Sequence, residues 1–299
     1  MFEDDIASPE LIDGQSRNIN QTTPINMPQV YTLLSPALVN KNTHKIFQRQ
    51  VVVIDVLRAT TSMVVMLKNG ADEVIPMGSL EETLAMKTQG YLIAGERNGH
   101  KVQGFDFGNS PQEFTAEAVQ GKKLAITTTN GTRVLTLCEG AKKIWIGSFL
   151  NLTATANAVL KFSNKDIEQT EPMHNKKSSP FFVEEQNKGH LHEETNSNDV
   201  VLFCAGWKQQ FNLEDTIFAG AIAEALQSRG FLLADDASLA ALLLWKQAKD
   251  NLTGFLARAS HVKRFNSLNV VGDLEECLKI DSSKLAILYE KGKLVGNRP

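Results

Sequence analysis

No stretch of this sequence reaches the roughly 18 consecutive apolar residues that a membrane-crossing helix requires, so no segment is expected to span a bilayer. Runs of lysine and arginine are also absent, and the formal net charge is −3. That balance argues against a nucleic-acid surface and leaves any affinity for anions to a local pocket. Cysteine is scarce. Cys138, Cys204 and Cys277 stand far apart without CxxC spacing, which suits free thiols in a reducing cytoplasm and not a disulfide framework. The opening Met1-Phe2-Glu3-Asp4-Asp5 is acidic where a secretory signal is basic, and no apolar core follows, so a cytoplasmic location is expected. What remains, 299 residues without an internal repeat, is enough for one large α/β domain or two smaller ones.

Residues 1–27 are polar and aperiodic, and are expected to form a disordered extension ahead of a domain over 28–299. A second irregular stretch, about 163–198, is rich in Asn, Lys, Glu, Ser and His, with Phe181-Phe182-Val183 as its apolar knot. Its length marks it as a surface insertion or a mobile lid. His190 and His192 lie in it and read as solvated side chains, not metal ligands. Between these stretches strands alternate with helices. Helices are predicted over 60–68, from a Ser79 capping box to near Gly90, from a second box at Ser110-Pro111-Gln112-Glu113 to Gly121, and over 151–161, 213–229 and 236–249. A hairpin is predicted over 285–295, turning at Lys291-Gly292. Such alternation implies a largely parallel sheet covered on both faces.

Polar clusters follow four of the apolar, strand-like runs. Val51–Val56 contains Asp55 and opens onto Leu57-Arg58-Ala59-Thr60-Thr61, and the 91–94 run opens onto Gly95-Glu96-Arg97. The 124–126 run opens onto Thr127-Thr128-Thr129-Asn130-Gly131-Thr132, and Val200–Phe203 onto Cys204-Ala205-Gly206. Ligands of such sheets bind outside the carboxyl ends of strands. Asp55 interrupts an apolar strand, where an isolated carboxylate is costly unless paired or metal-bound. Arg58 is its near partner, either for chemistry or as a structural pair pinning the strand to a helix start. Thr60 and Thr61 offer hydroxyls at a helix N-terminus, a ready anion site. Glu96 reads as functional and Asn109 as a turn-former. The Thr127–Thr132 segment can cradle a phosphate or sulfonate, or can form an Asn-Gly hairpin; the helical spacing of Val134, Leu135 and Cys138 favours the cradle.

These groups suit an anionic ester, and several ester chemistries are excluded. A cysteine phosphatase needs an arginine six residues after its thiolate, but Cys204, Cys138 and Cys277 have Gln210, Ile144 and Ser283 there. An aspartyl-phosphate enzyme of the haloacid dehalogenase type wants a second aspartate two positions on, and Asp55 has Leu57. A binuclear metallophosphatase wants clustered His and Asp, and of the histidines only His100 lies near a motif. A phosphoryl transferase is weakened because GxxxxGK[ST] is missing. What remains is a divalent ion held by carboxylates, with arginine clamps. Mg²⁺ suits oxygen ligands, and Asp55, Glu96 and Asp215 are the expected holders, while Glu214 reads as an ordinary first-turn acid.

The ordered set Val53–Thr61, Gly95-Glu96-Arg97, Gly104-Phe105, Gly108–Pro111, Thr128–Thr132, Cys204-Ala205-Gly206, Glu214-Asp215 and Ala219-Gly220 resembles the 2-phosphosulfolactate phosphatase family, through about 30–295. The resemblance implies a three-layer α/β/α fold around a mostly parallel or mixed sheet. It also implies a Mg²⁺-dependent phosphatase acting on 2-phospho-3-sulfolactate, a step of coenzyme M biosynthesis in methanogens. Residue by residue it places Asp55, Arg58, Glu96, Arg97, Asn130, Thr132 and Asp215 in the pocket. By chemistry, Asp55, Arg58 and Asn130 are the expected catalytic groups, and Thr60, Arg97, Thr128, Thr129 and Thr132 the expected substrate-binding groups. The chain departs from the family pattern in its extension, its insertion and Trp207-Lys208-Gln209-Gln210. The expected partners are a small anionic phosphomonoester and, at most, a second copy of the chain. The rival expectation is a non-catalytic module that senses such an anion.

Overall fold

A computed structural model describes residues 27–39, 46–169, 196–267 and 271–297. The strands are β1 Gln29–Leu33, β2 Gln50–Ile54, β3 Glu73–Pro76, β4 Leu92–Arg97, β5 His100–Lys101, β6 Lys123–Thr127, β7 Lys143–Gly147, β8 Val200–Cys204, β9 Leu232–Leu233, β10 Ala286–Glu290 and β11 Lys293–Asn297. The helices are α1 Ala59–Lys68, α2 Leu80–Met86, α3 Ala116–Val119, α4 Gly131–Leu137, α5 Leu152–Gln169, α6 Leu213–Gln227, α7 Asp236–Ala248, α8 Leu252–Leu256, α9 Ser260–Ser267 and α10 Val271–Cys277.

The continuous apolar run of β2 is buried at every position, as a central strand covered on both faces must be. Its period of two sends Val52 and Ile54 into one core with Phe149, Phe218 and Trp245, beneath α5, α6 and α7. Val51 and Val53 enter the opposite core with Met63, Val64, Val134 and Leu135, beneath α1 and α4. The result is three layers, helices on either side of a mixed sheet ordered β5-β4-β6-β3-β11-β10-β7-β2-β8-β1-β9. Among the described residues no helix is long and apolar enough to cross a membrane.

The sheet is less uniformly parallel than the alternation of elements implies. β7, β2, β8, β1 and β9 form one parallel group, and β3, β6 and β4 another. The predicted C-terminal hairpin, β10–β11, lies between them and pairs antiparallel with both β7 and β3. Three antiparallel junctions in succession make the two groups run in opposite senses. Their carboxyl ends nevertheless converge. Asp55 after β2, Glu96 at the end of β4 and Thr128 after β6 share one pocket.

The Ser110–Glu113 box forms in full, whereas at Ser79 only the serine half does, its side chain accepting the Glu82 amide at 3.1 Å. Asn130-Gly131 begins α4 and is not a hairpin turn. The helix expected over 151–161 continues as α5 to Gln169, into the stretch read as an insertion. The remainder of that stretch, 170–195, and residues 1–26 of the extension lie outside the described residues. α6 and α7 cross at Gly220, where an added Cβ would stand 2.0 Å from the Ala241 carbonyl oxygen. Gly220→Ala should therefore destabilise the protein by about 1–3 kcal/mol or more, since main chain cannot yield as a side chain can. Urea denaturation measures this; an unchanged midpoint would show that the crossing is looser than described.

Candidate active site

The turn after β2 is fixed by its own side chains. The Thr60 hydroxyl donates to the Asp55 carbonyl at 2.9 Å and accepts from the Asp55 amide at 3.1 Å. The Asp55 carboxylate accepts the Ala59 amide on Oδ1 at 3.3 Å, while Oδ2 has no hydrogen-bond partner among the described residues. Oδ2 lies against α4, 3.0 Å from where a Gly131 Cβ would stand, so only glycine allows this approach.

Two other acids act as clasps. Asp215 accepts the Val56 amide on Oδ1 at 2.8 Å, and the Gly206 amide and Asn212 side chain on Oδ2, each at 3.0 Å. It joins the β2 turn, the β8 turn and the start of α6. Glu96 accepts the Thr129 amide and hydroxyl at 3.0 and 2.8 Å on one oxygen, and the Gly99 amide at 2.7 Å on the other. It ties the end of β4 to the turn after β6. Thr128 and Thr132 close that turn on each other, with the Thr132 hydroxyl donating to the Thr128 carbonyl at 2.9 Å.

One pocket gathers Asp55, Arg58, Glu96, Thr128, Thr129 and Asn130 from the expected set, with Asn98, Gly99 and Asn109 beside them. The expectations for six residues change. Thr60 and Thr132 are buried and spend their hydroxyls on shaping the two turns; neither lines the pocket. Arg97 also lies outside the lining and donates to the Glu96 carbonyl at 2.7 Å. Asp215 is adjacent to Asp55 but buried behind it, with both oxygens occupied by donors. Arg58 does not pair with Asp55: its guanidinium is held by Asp273 at 2.5 Å and by the Gly99 carbonyl at 3.3 Å, over the Phe265 ring. Asn109 makes no Asx-turn: its Oδ1 has no partner, and the residue is buried in the pocket lining instead of forming the expected turn.

Trp207 and Lys208, from the segment that departs from the family pattern, line the remaining wall, and His261, Arg264 and Phe265, which the sequence did not reveal, line it with them. Arg264 donates to the Asn98 carbonyl at 2.6 Å and lies over Trp207. Glu214 is fully buried, not a solvated first-turn acid, and meets His261 Nδ1 at 2.5 Å. His261, which lies in none of the motif segments, is the histidine of the pocket. The signal available was His261 and Arg264 at i, i+3 in Ser260-His261-Val262-Lys263-Arg264, one helical face bearing two polar groups.

Burial pushes the Asp55 carboxyl up to about 6, against the Ala59 amide and His261, which lower it; Glu96 and Glu214 add to the rise. Asp215 is also raised, first by burial and then by Asp55 and Glu214, although the Val56 amide and Asn212 oppose this. Burial works in the same direction on Glu96, but the Gly99 amide, the Thr129 amide and hydroxyl, and Arg58 outweigh it and hold this acid below the usual range. Among the described residues no three His, Cys, Asp or Glu side chains are grouped so as to hold a metal ion by themselves.

A family model described as 2-phosphosulpholactate phosphatase matches residues 34–168 and 187–292. Among curated proteins, the chain is 35% identical over 255 residues to a probable 2-phosphosulfolactate phosphatase of Caldanaerobacter subterraneus subsp. tengcongensis, covering 84% of this chain and 92% of that protein. It is 34% identical to a protein of the same description from Clostridium acetobutylicum, with 84% and 94% covered. A third such protein, from Thermotoga maritima, is 36% identical, with 79% and 87% covered.

The Asp55 environment sets a pH dependence. Unfolded, this carboxyl ionises near 3.8; folded, it keeps its proton to about 6. Between those values the folded state binds more protons, so stability falls as pH rises through the window and stays lower above it. Asp55→Asn should raise stability at pH 8 by on the order of 3 kcal/mol, with the gain vanishing below pH 4. Thermal unfolding at the two pH values measures it, and an equal effect at both would contradict the assigned cause.

Proposed function

The chain belongs to the 2-phosphosulpholactate phosphatase family and is a phosphoric monoester hydrolase; we propose that its pocket hydrolyses 2-phospho-3-sulfolactate, or a closely similar small 2-hydroxy-acid phosphate, with Mg²⁺. The observation that carries this is the Asp55 carboxylate, which reaches the pocket with Oδ2 unpartnered among the described residues, beside a fixed arginine. Mg²⁺ usually binds through one or two carboxylates plus substrate phosphate, and keeps waters in its other positions. Asp55, the lining acid with an unengaged oxygen, is the residue that would hold it, while Glu96, whose oxygens accept from Thr129 and Gly99, would face the ion through its waters. Asp215 is better suited to positioning Asp55 than to direct ligation, because its oxygens already accept protein donors. A bound ion would polarise phosphoryl oxygens and offset the buried negative charge that raises Asp55 and Asp215.

The protein's own groups bind and orient the ester. The amides of Asn130 and Gly131 have no acceptor among the described residues and open the first turn of α4, where an anion is favoured. Arg58 is held in place by Asp273 and Gly99, so a phosphate meets it with little loss of side-chain freedom. The Asn130 side chain makes no capping bond and is free to donate to the same phosphate. The second anion of the substrate would lie at the other wall, against Arg264 and Lys208. That wall replaces Arg97 as the second basic element.

Two measurements test this reading. Treatment with EDTA should abolish phosphate release from 2-phosphosulfolactate, and Mg²⁺ should restore it; full turnover after stripping would sink the metal-dependent mechanism. In a Mg²⁺-containing assay, Arg58→Ala should lower kcat/KM for all small phosphomonoesters. Arg264→Ala should cost about ten- to hundredfold only with a second anion on the substrate. Equal losses on singly and doubly anionic esters from both substitutions would mean that both arginines serve one phosphate.

A further inference from the structure

The wall contributed by α9 holds a histidine, backed by a buried glutamate of α6, for which binding and metal ligation leave no role. His261 lines the pocket, and its Nδ1 lies 2.5 Å from Glu214 Oε1. Nε2 has no hydrogen-bond partner among the described residues. The ring plane is fixed by Trp207, stacked at 5.9 Å between centroids, and by Phe265 at 5.0 Å. Glu214 is fully buried, and its second oxygen is without a partner. A carboxylate in that position is costly unless a positive charge faces it. An imidazolium there would supply that charge, donating from Nδ1 and carrying a second proton on Nε2. His261 and Asp55 line the same pocket.

We propose that His261, positioned by Glu214, gives the departing alcohol its proton. The proposal rests on the phosphatase reading above and adds a proton donor to it. The alcohol of a 2-hydroxy acid is a poor leaving group as an alkoxide. In the loose transition state of phosphoryl transfer, negative charge builds on the leaving oxygen, and a positioned acid is of most use there. In the step, the bond from phosphorus to the ester oxygen breaks as the oxygen of water bonds to phosphorus. The Nε2 proton passes to the ester oxygen, so the alcohol leaves neutral. Both hydrogens of the attacking water stay on the released phosphate, and His261 takes its proton back from solvent. Glu214 stabilises the imidazolium and retains the Nδ1 proton while Nε2 gives up its own, as a buried carboxylate does for other catalytic histidines.

The discriminating variable is the leaving group. The holoprotein in Mg²⁺ is assayed with 2-phospholactate or 2-phosphosulfolactate, whose alcohols need a proton, and with p-nitrophenyl phosphate, whose phenolate departs without one. His261→Gln should lose about 10²–10⁴-fold in kcat on the alkyl esters. It should lose less than tenfold on the aryl ester. Glu214→Gln, which keeps the shape of the pair, should show the same selectivity in weaker form and covers the case in which the histidine variant does not fold. Equal losses on both ester types, or no loss on either, would overturn the proposal while leaving the phosphatase reading intact. Wild-type protein inert towards every phosphomonoester would overturn that reading and this proposal with it.

Discussion

The site depends on one buried carboxylate that itself never reaches the pocket. Asp215 holds the turn after β2, the turn after β8 and the first turn of α6 against one another, with each donor at about hydrogen-bond optimum. Asp55, Gly206 and the Trp207 loop take their places from that contact, and Glu214, the preceding residue, is set towards α9 by the same turn. Glu96 performs the equivalent task on the other side, where it binds the β4 end to the Thr129 turn. Two acids therefore give up their acceptor capacity to shape, and a third keeps its own for a ligand. The distinction is one of hydrogen-bond accounting: all three are carboxylates at element ends, and only the donors around them differ.

This arrangement concentrates negative charge where water is scarce. Asp55 and Asp215 are raised by burial and by the carboxylates around them, and the nearby basic side chains are engaged elsewhere: Arg58 with Asp273, His261 with Glu214. A site left in such imbalance costs stability in the empty protein and recovers it when a cation or the right substrate arrives. Arg58 illustrates the balance. Asp273 tempers its charge and is itself held by Ser110 at 2.5 Å, so the guanidinium stays rigid without being neutralised by the reacting acid.

Much of the architecture was legible because its signals are local. The Val51–Ile54 run, the Ser79 and Ser110 caps, the Lys291-Gly292 turn and the polar clusters at strand ends depend on residues within a few positions of one another. What stayed hidden depends on distance along the chain. Arg58 finds Asp273 across 215 positions, and no periodicity announces that pairing. α8, α9 and α10 are short, at five, eight and seven residues, too brief for a 3.6-residue period to stand out; with them went His261, Arg264 and Phe265. Arg97 misled because adjacency to Glu96 in sequence places the two side chains on opposite faces of β4. Thr60 and Thr132 carry the right chemistry, but local hydrogen bonds to their own turns claim it first.

The position of the β10–β11 hairpin between the two parallel groups has a consequence for the order of assembly. Among the described strands it is the last to leave the ribosome, yet it occupies the centre of the sheet, flanked by β7 and β3. Until it is synthesised, the β2 group and the β6 group have no shared edge, and the pocket takes Asp55 from one and Glu96 and Asn130 from the other. A nascent chain can therefore form each half but not the cleft between them. Both halves meanwhile present open strand edges that invite pairing with other chains. Closure is a late, long-range event, and topology alone makes such events slow.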